Sequence, residues 1–166
     1  SKVWLYLLKG LGTTALLSLM VVPLGLASGL AVAALWSLRK RWLNGLLIVY
    51  VDFFRAFPPL VLLLFIYFGF PFVGIEVPAI VAVAIGFLLN TSSYYGEIFR
   101  AGIESVPRGQ WEAARSTGLS WAQTMISVIV PQATRNVLPD LLSNTLEVIK
   151  LTTLASVVAI PELLNA

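Results

Sequence analysis

Cysteine and histidine are both missing from this 166-residue chain. Their absence removes disulfides, thiolate nucleophiles, imidazole bases and most zinc sites together, so enzymatic readings lose most of their chemistry. Charge is scarce as well: 11 Lys and Arg against 8 Asp and Glu leave a net charge of only +3. The basic residues are scattered or sit at the ends of apolar runs instead of forming a stripe, which argues against nucleic acid as a partner. No G-x-x-x-x-G-K-[ST] phosphate loop occurs, so the chain is not expected to hydrolyse ATP alone. The first apolar stretch is too long for a signal-peptide core and reads as a retained helix. What remains is apolar: 58% of residues are hydrophobic, and the mean hydropathy is +0.90. Such a composition belongs in a bilayer.

A helix needs about 20 apolar residues to cross the hydrocarbon core. The run from Leu11 to Leu38 meets that length, and its Gly25, Gly29, Ala27, Ala31, Ala33 and Ala34 suit close helix packing in lipid. A second run, Leu43 to Phe70, carries Pro58 and Pro59 and is expected to be one kinked span. A third extends from Val77 to about Ile98, after a Pro- and Gly-containing turn. A fourth begins near Trp121 and is expected to break at Pro131 and Pro139, with a further apolar segment opening beyond Lys150. Arg39, Lys40 and Arg41 close the first span, and Arg100, Arg108 and Arg115 follow the third, whereas the turn after the second holds only Glu76. By the excess of Lys and Arg in cytoplasmic loops, both basic connections face the cytoplasm and the N-terminus lies outside. Trp4, Tyr6, Trp36, Trp42, Trp111 and Trp121 read mostly as interfacial anchors.

The connection between the third and fourth spans, about residues 104–120, is built for more than linkage. Pro107 to Thr117 favours a short helix, Gly118 suits a left-handed terminator, and Ser120 with Gln123 forms a capping box for a fresh start. A helix this short is marginal in water and is expected to pack on something, a partner protein being the natural candidate. Glu112-Ala113-Ala114, the following Gly118, the preceding Gly109-Gln110 and the Val128-x-Val130-Pro131 ending together resemble the E-A-A loop of ABC importer permeases. The stretches FFRAFPPLVLLLFIYFG, YYGEIFRAGIESVPRGQWEAA and VIKLTTLASVVAIPEL narrow the resemblance to permeases for polar amino acids, over most of the chain.

That resemblance implies an all-α fold: a polytopic membrane helix bundle like type I ABC importer permeases, one domain over residues 1–166, in the bacterial inner membrane. It implies a pair of cytoplasmic ABC ATPase subunits that bind ATP and Mg, with no cofactor in this chain. A second permease, identical or homologous, and an extracytoplasmic substrate-binding protein complete the implied assembly, and the cargo is an amino-acid-like solute. Family members normally carry one more span after the P-E-L segment, so a shortened or incompletely recorded chain is expected. Gln110, Glu112, Ala113, Ala114 and Gly118 are the implied ATPase-coupling residues. Glu112 could instead be a solvated pair with Arg115.

Glu97 and Arg100, at i and i+3, are expected to pair as a structural or gating salt bridge. Asn144, Glu147 and Leu151 share a helical face with Lys150 beside it, and ionisable groups in a membrane segment usually line a polar cavity. With Thr152 and the aromatic candidates Phe53, Phe54, Phe57, Tyr94 and Tyr95, they form the expected substrate pathway in the broken fourth helix; the alternatives are a Glu147–Lys150 pair that only holds the bundle together and phenylalanines that face lipid. Relatives often read K-D-T-S where this chain has Lys150-Leu151-Thr152-Thr153, and Leu151 weighs against a strongly cationic substrate. A secondary transporter or a structural membrane subunit would share the apolar spans. The first lacks its customary internal repeat here, and neither accounts for the E-A-A helix.

Overall fold

The computed structural model describes residues 2–163, whose regular secondary structure is all helical, with no strand among them. The first helix, α1, runs Lys2–Trp36 without interruption. It starts nine residues before the expected span, because Lys2 to Gly10 contain nothing that would stop a helix. At about 1.5 Å per residue it reaches about 52 Å, more than a bilayer core requires.

Helices α2 (Arg41–Ala56) and α3 (Pro59–Gly69) were expected as one kinked span and instead meet at a 95° corner, α3 running on through a 3₁₀ turn at Phe70–Val73. The prolines explain it. Pro58 pushes Phe57 out of the helical region, to φ −90° and ψ 130°, and Pro59 opens α3 at a position where its missing N–H costs nothing.

Helix α4 (Ala79–Ser105) is the spine against which α1, α2, α3, α7 and α8 pack. On α1 the buried residues Leu17, Val21, Gly25, Gly29 and Ala33 recur every four positions, a single stripe turned toward the bundle. A Cβ on Gly29 would stand 2.8 Å from the backbone nitrogen of Gly96, so the two helices touch backbone to backbone. Polar side chains tie α4 to its neighbours: Tyr50 and Ser92 hydroxyls lie 2.6 Å apart, Tyr95 and Thr145 hydroxyls 2.7 Å, and Asn90 donates to the Phe54 carbonyl. In lipid, where burying an apolar side chain gains little over leaving it in acyl chains, small-residue contacts and interhelical hydrogen bonds provide the cohesion. The outer face is correspondingly apolar, with Leu19, Val49 and Phe65 largely exposed.

After α4 come the short helix α5 (Arg108–Ser116), the single turn α6 (Trp121–Thr124), a π turn at Met125–Ile129, α7 (Val130–Asn136) and α8 (Leu138–Leu163). The break expected at Pro131 does not occur. The π turn shifts the hydrogen-bond register just before it, and the proline falls in the first turn of α7. The interruption falls instead at Val137, just ahead of Pro139. The segment beyond Lys150 continues α8 and is no new element.

Candidate coupling helix and substrate groove

Short helix α5 emerges where α4 stops at Val106, whose backbone is extended because Pro107 follows. It ends where Gly118 adopts φ 88°, a left-handed conformation that a side chain would strain. The next helix then starts at Ser120, whose Oγ accepts from the Gln123 backbone while Gln123 Oε1 accepts from the Ser120 backbone. Each punctuation mark read in the sequence is present.

Four of the five coupling candidates lie on α5 and divide between its two sides, and Gly118 follows its end. Ala114 is buried in the bundle, whereas Ala113 and Glu112 face outward. Ala114 is therefore used up in seating the helix, a correction to the expectation that both alanines serve a partner. Glu112 pairs with Arg108 at 2.9 Å, one turn back, and not with Arg115. Both ends of that pair are well exposed, so it contributes at most about 1 kcal/mol and leaves Glu112 available. Gln110 accepts a 3.1 Å hydrogen bond from Gln132 Nε2 on α7.

Inside the bundle, Arg100 Nε donates to Glu97 Oε2 at 3.0 Å, and a second nitrogen, Nη2, pairs with Glu97 Oε1. Its remaining arm reaches Glu104 at 2.9 Å, and its guanidinium lies 5.2 Å from the Trp36 ring centre. The expected pair is thus a triad on one face of α4. Glu104 stands four residues past Arg100, a spacing that could have found it.

The substrate-pathway candidates do not form one site. Asn144 and Glu147 line an open groove of about 450 Å³ together with Glu97 and Asp140, between α4 and the start of α8. Counted along each helix, Glu97 lies about 12 Å from the end of α4, and Asn144 and Glu147 about 9–14 Å from the start of α8, so the three meet at one level. The Nδ2 of Asn144 is buried, next to the Tyr95 hydroxyl. Lys150 pairs with Glu147 at 2.7 Å on the exposed side. Leu151 instead packs against the core, and Thr152 is fully buried, its hydroxyl 2.9 Å from that of Ser18 on α1. A helix of 3.6 residues per turn leaves positions seven apart about 20° out of register, and the packing of α8 on α1 and α4 puts Leu151 on the core side. Thr152 therefore joins α1 to α8 and leaves the groove. Phe54 and Phe57 gather with Phe53 and Tyr50 near the α2–α3 corner, apart from Asn144. Tyr94 sits there too, its hydroxyl donating to the Arg55 carbonyl and its ring beneath the Arg55 guanidinium. Tyr95 is buried at the α4–α8 contact. Asn144, Glu147, Lys150, Leu151 and Thr152 lie on an unbroken α8, not at a helix break.

Residues 7–165 match the family described as binding-protein-dependent transport system inner membrane component. Over 160 residues the chain is 43% identical to the probable amino-acid ABC transporter permease protein YckA of Bacillus subtilis (strain 168), covering 96% of this chain and 71% of that protein. It is 33% identical to the probable glutamine ABC transporter permease protein GlnP of the same organism, over 96% of this chain and 73% of the relative. The fold is similar to a crystal structure of an amino acid ABC transporter with histidines, at a TM-score of 0.77 and 34% identity over 95% of this chain and 75% of that one. A family match across nearly the whole described helix bundle settles the affiliation: the chain belongs to the inner membrane components of binding-protein-dependent transport systems.

Proposed function

We propose that this chain is the permease subunit of an ATP-driven importer, carrying a polar amino acid or a closely related solute into the cytoplasm. The observation that carries the reading is α5. A nine-residue helix with an outward Glu112 and Ala113, closed by a left-handed Gly118, has the form of a knob offered to another protein. The cytoplasmic ABC ATPase is that partner. It occurs as a pair, holds ATP and Mg, and transmits its closure through α5. The relatives named for amino-acid and glutamine transport support the cargo class.

In this arrangement the end of the bundle bearing α5 and Arg39 to Arg41 is cytoplasmic, and the N-terminus of α1 is outside. A second permease, the same or homologous, supplies the other half of the pathway, and an extracytoplasmic binding protein delivers the solute. The groove holding Glu97, Asn144 and Glu147 is the part of the pathway near the cytoplasm. There the carboxylate of Glu147 receives an α-ammonium group, and the Asn144 side chain offers a hydrogen bond to a carboxylate or side-chain oxygen. The test is uptake of labelled amino acids into proteoliposomes with the matching binding protein. Glu147→Gln and Asn144→Ala should each weaken apparent affinity several-fold. Unchanged selectivity and affinity in both would remove the groove from the pathway, and uptake that ignores ATP would remove the importer assignment.

A further inference from the structure

We propose that the cavity between the ends of α1 and α4 and the short helix α5 binds the phosphate-bearing headgroup of an anionic membrane lipid. The cavity measures about 490 Å³ and is lined by Trp36, Arg39, Arg100, Arg108, Trp111 and Trp121, with Glu104 as its carboxylate. That volume suits a small polar ligand. Most of the lining charge is already spoken for. Arg100 is shared by Glu97 and Glu104, and Arg108 holds Glu112. Arg39 has no ion pair among the described residues, and it stands at φ 55°, in the left-handed region where a glycine would end α1 without strain. An unpaired cation kept in a sterically costly conformation beside three half-buried indoles points to a ligand.

The position selects a lipid over a soluble phosphate. The cavity lies where the apolar run of α1 gives way to Arg39-Lys40-Arg41, with the exposed Trp42 next in the chain and the exposed Leu35 one turn back along α1. Tryptophan and arginine together mark headgroup depth, and the cytoplasmic leaflet is the anionic one. Acyl chains would continue along the outer face of α1. The inference rests on the orientation proposed above. If it holds, a headgroup bridges the end of α1 to α5, and lipid composition tunes the coupling.

Native mass spectrometry of the full-length permease in its complex with the ATPase tests this, titrating phosphatidylglycerol, phosphatidylcholine and glycerol 3-phosphate in turn. Phosphatidylglycerol should be retained at least ten times more tightly than phosphatidylcholine. Arg39→Gly should weaken it at least five-fold without lowering the melting temperature, because glycine relieves the strained backbone, and Arg39→Lys should keep most of the affinity. Equal retention of the two lipids, or unchanged phosphatidylglycerol binding in Arg39→Gly, would overturn the site. Glycerol 3-phosphate binding as tightly as the lipid would also overturn it, in favour of a soluble anion. Whether the ATPase remains bound is read separately in the same spectra, so failure of the importer assignment is not confused with failure of the lipid site.

Discussion

Gln132 on α7 donates its Nε2 hydrogen to Gln110 Oε1 on α5 at 3.1 Å, across the hinge at Gly118. The same nitrogen donates to the Val128 carbonyl inside the π turn at 3.0 Å. One amide therefore fastens the proposed coupling helix to the segment of the bundle whose hydrogen-bond register is already irregular. Such π turns are frequent at functional sites, and this one is where displacement of α5 would enter the membrane helices.

Replacing Gln132 by Ala should lower substrate-stimulated ATP hydrolysis by about 2–5-fold, in line with the roughly 1 kcal/mol of a single hydrogen bond, while basal hydrolysis and membrane insertion stay unchanged. Equal stimulation in variant and parent would show that α5 moves the bundle by another route.

Gly118 gives a second measure of the hinge. With φ at 88°, Gly118→Ala should cost about 1–2 kcal/mol locally, although a Cβ there would meet nothing within 4 Å. Assembly with the ATPase should weaken, and insertion should not. Loss of the protein from the membrane would mean that the glycine serves folding above docking.

Gly29 and Gly10 separate packing from composition. A Cβ at Gly29 would meet the Gly96 backbone at 2.8 Å, whereas at Gly10 nothing lies within 4 Å. Gly29→Ala should destabilise by about 1–3 kcal/mol, because backbone cannot step aside as a side chain can. Gly10→Ala should be neutral or stabilise by up to about 1 kcal/mol, the helix-propensity gain of alanine over glycine. Thermal aggregation midpoints in detergent would decide, and equal midpoints would contradict the α1–α4 contact.

The triad on α4 alters what charge reversal should do. Swapping Glu97 and Arg100 restores one pair but places a carboxylate beside Glu104, one turn away. The double variant should transport better than Arg100→Glu alone, and adding Glu104→Lys should recover more. If the third change gives no gain in uptake, Glu104 is a bystander.

Much of this was legible in the sequence. The start, stop and restart around α5 follow from Pro107, Gly118 and the Ser120–Gln123 box, which act locally and need no partner. The 95° corner was less so: two adjacent prolines announce a disturbance, but its angle depends on how α2 and α3 pack onto α4. The groove was half legible. Asn144 and Glu147 stood out as polar groups in an apolar helix, but Asp140 and Glu97 join them through the packing of α8 on α4, which has no local signature. Thr152 misled for the same reason: its hydroxyl looks equally functional until Ser18 of α1 is found against it.

The most direct measurement is amino-acid uptake into proteoliposomes containing the permease, the ATPase and the binding protein, with ATP inside, for the parent and Glu112→Lys. Uptake should require internal ATP. Glu112→Lys should cut it at least ten-fold with the protein still inserted, since the change reverses the outward charge of α5 and removes only an exposed pair from the permease itself. Normal uptake by Glu112→Lys would contradict the docking role of α5, and uptake driven by an ion gradient without ATP would contradict the account as a whole.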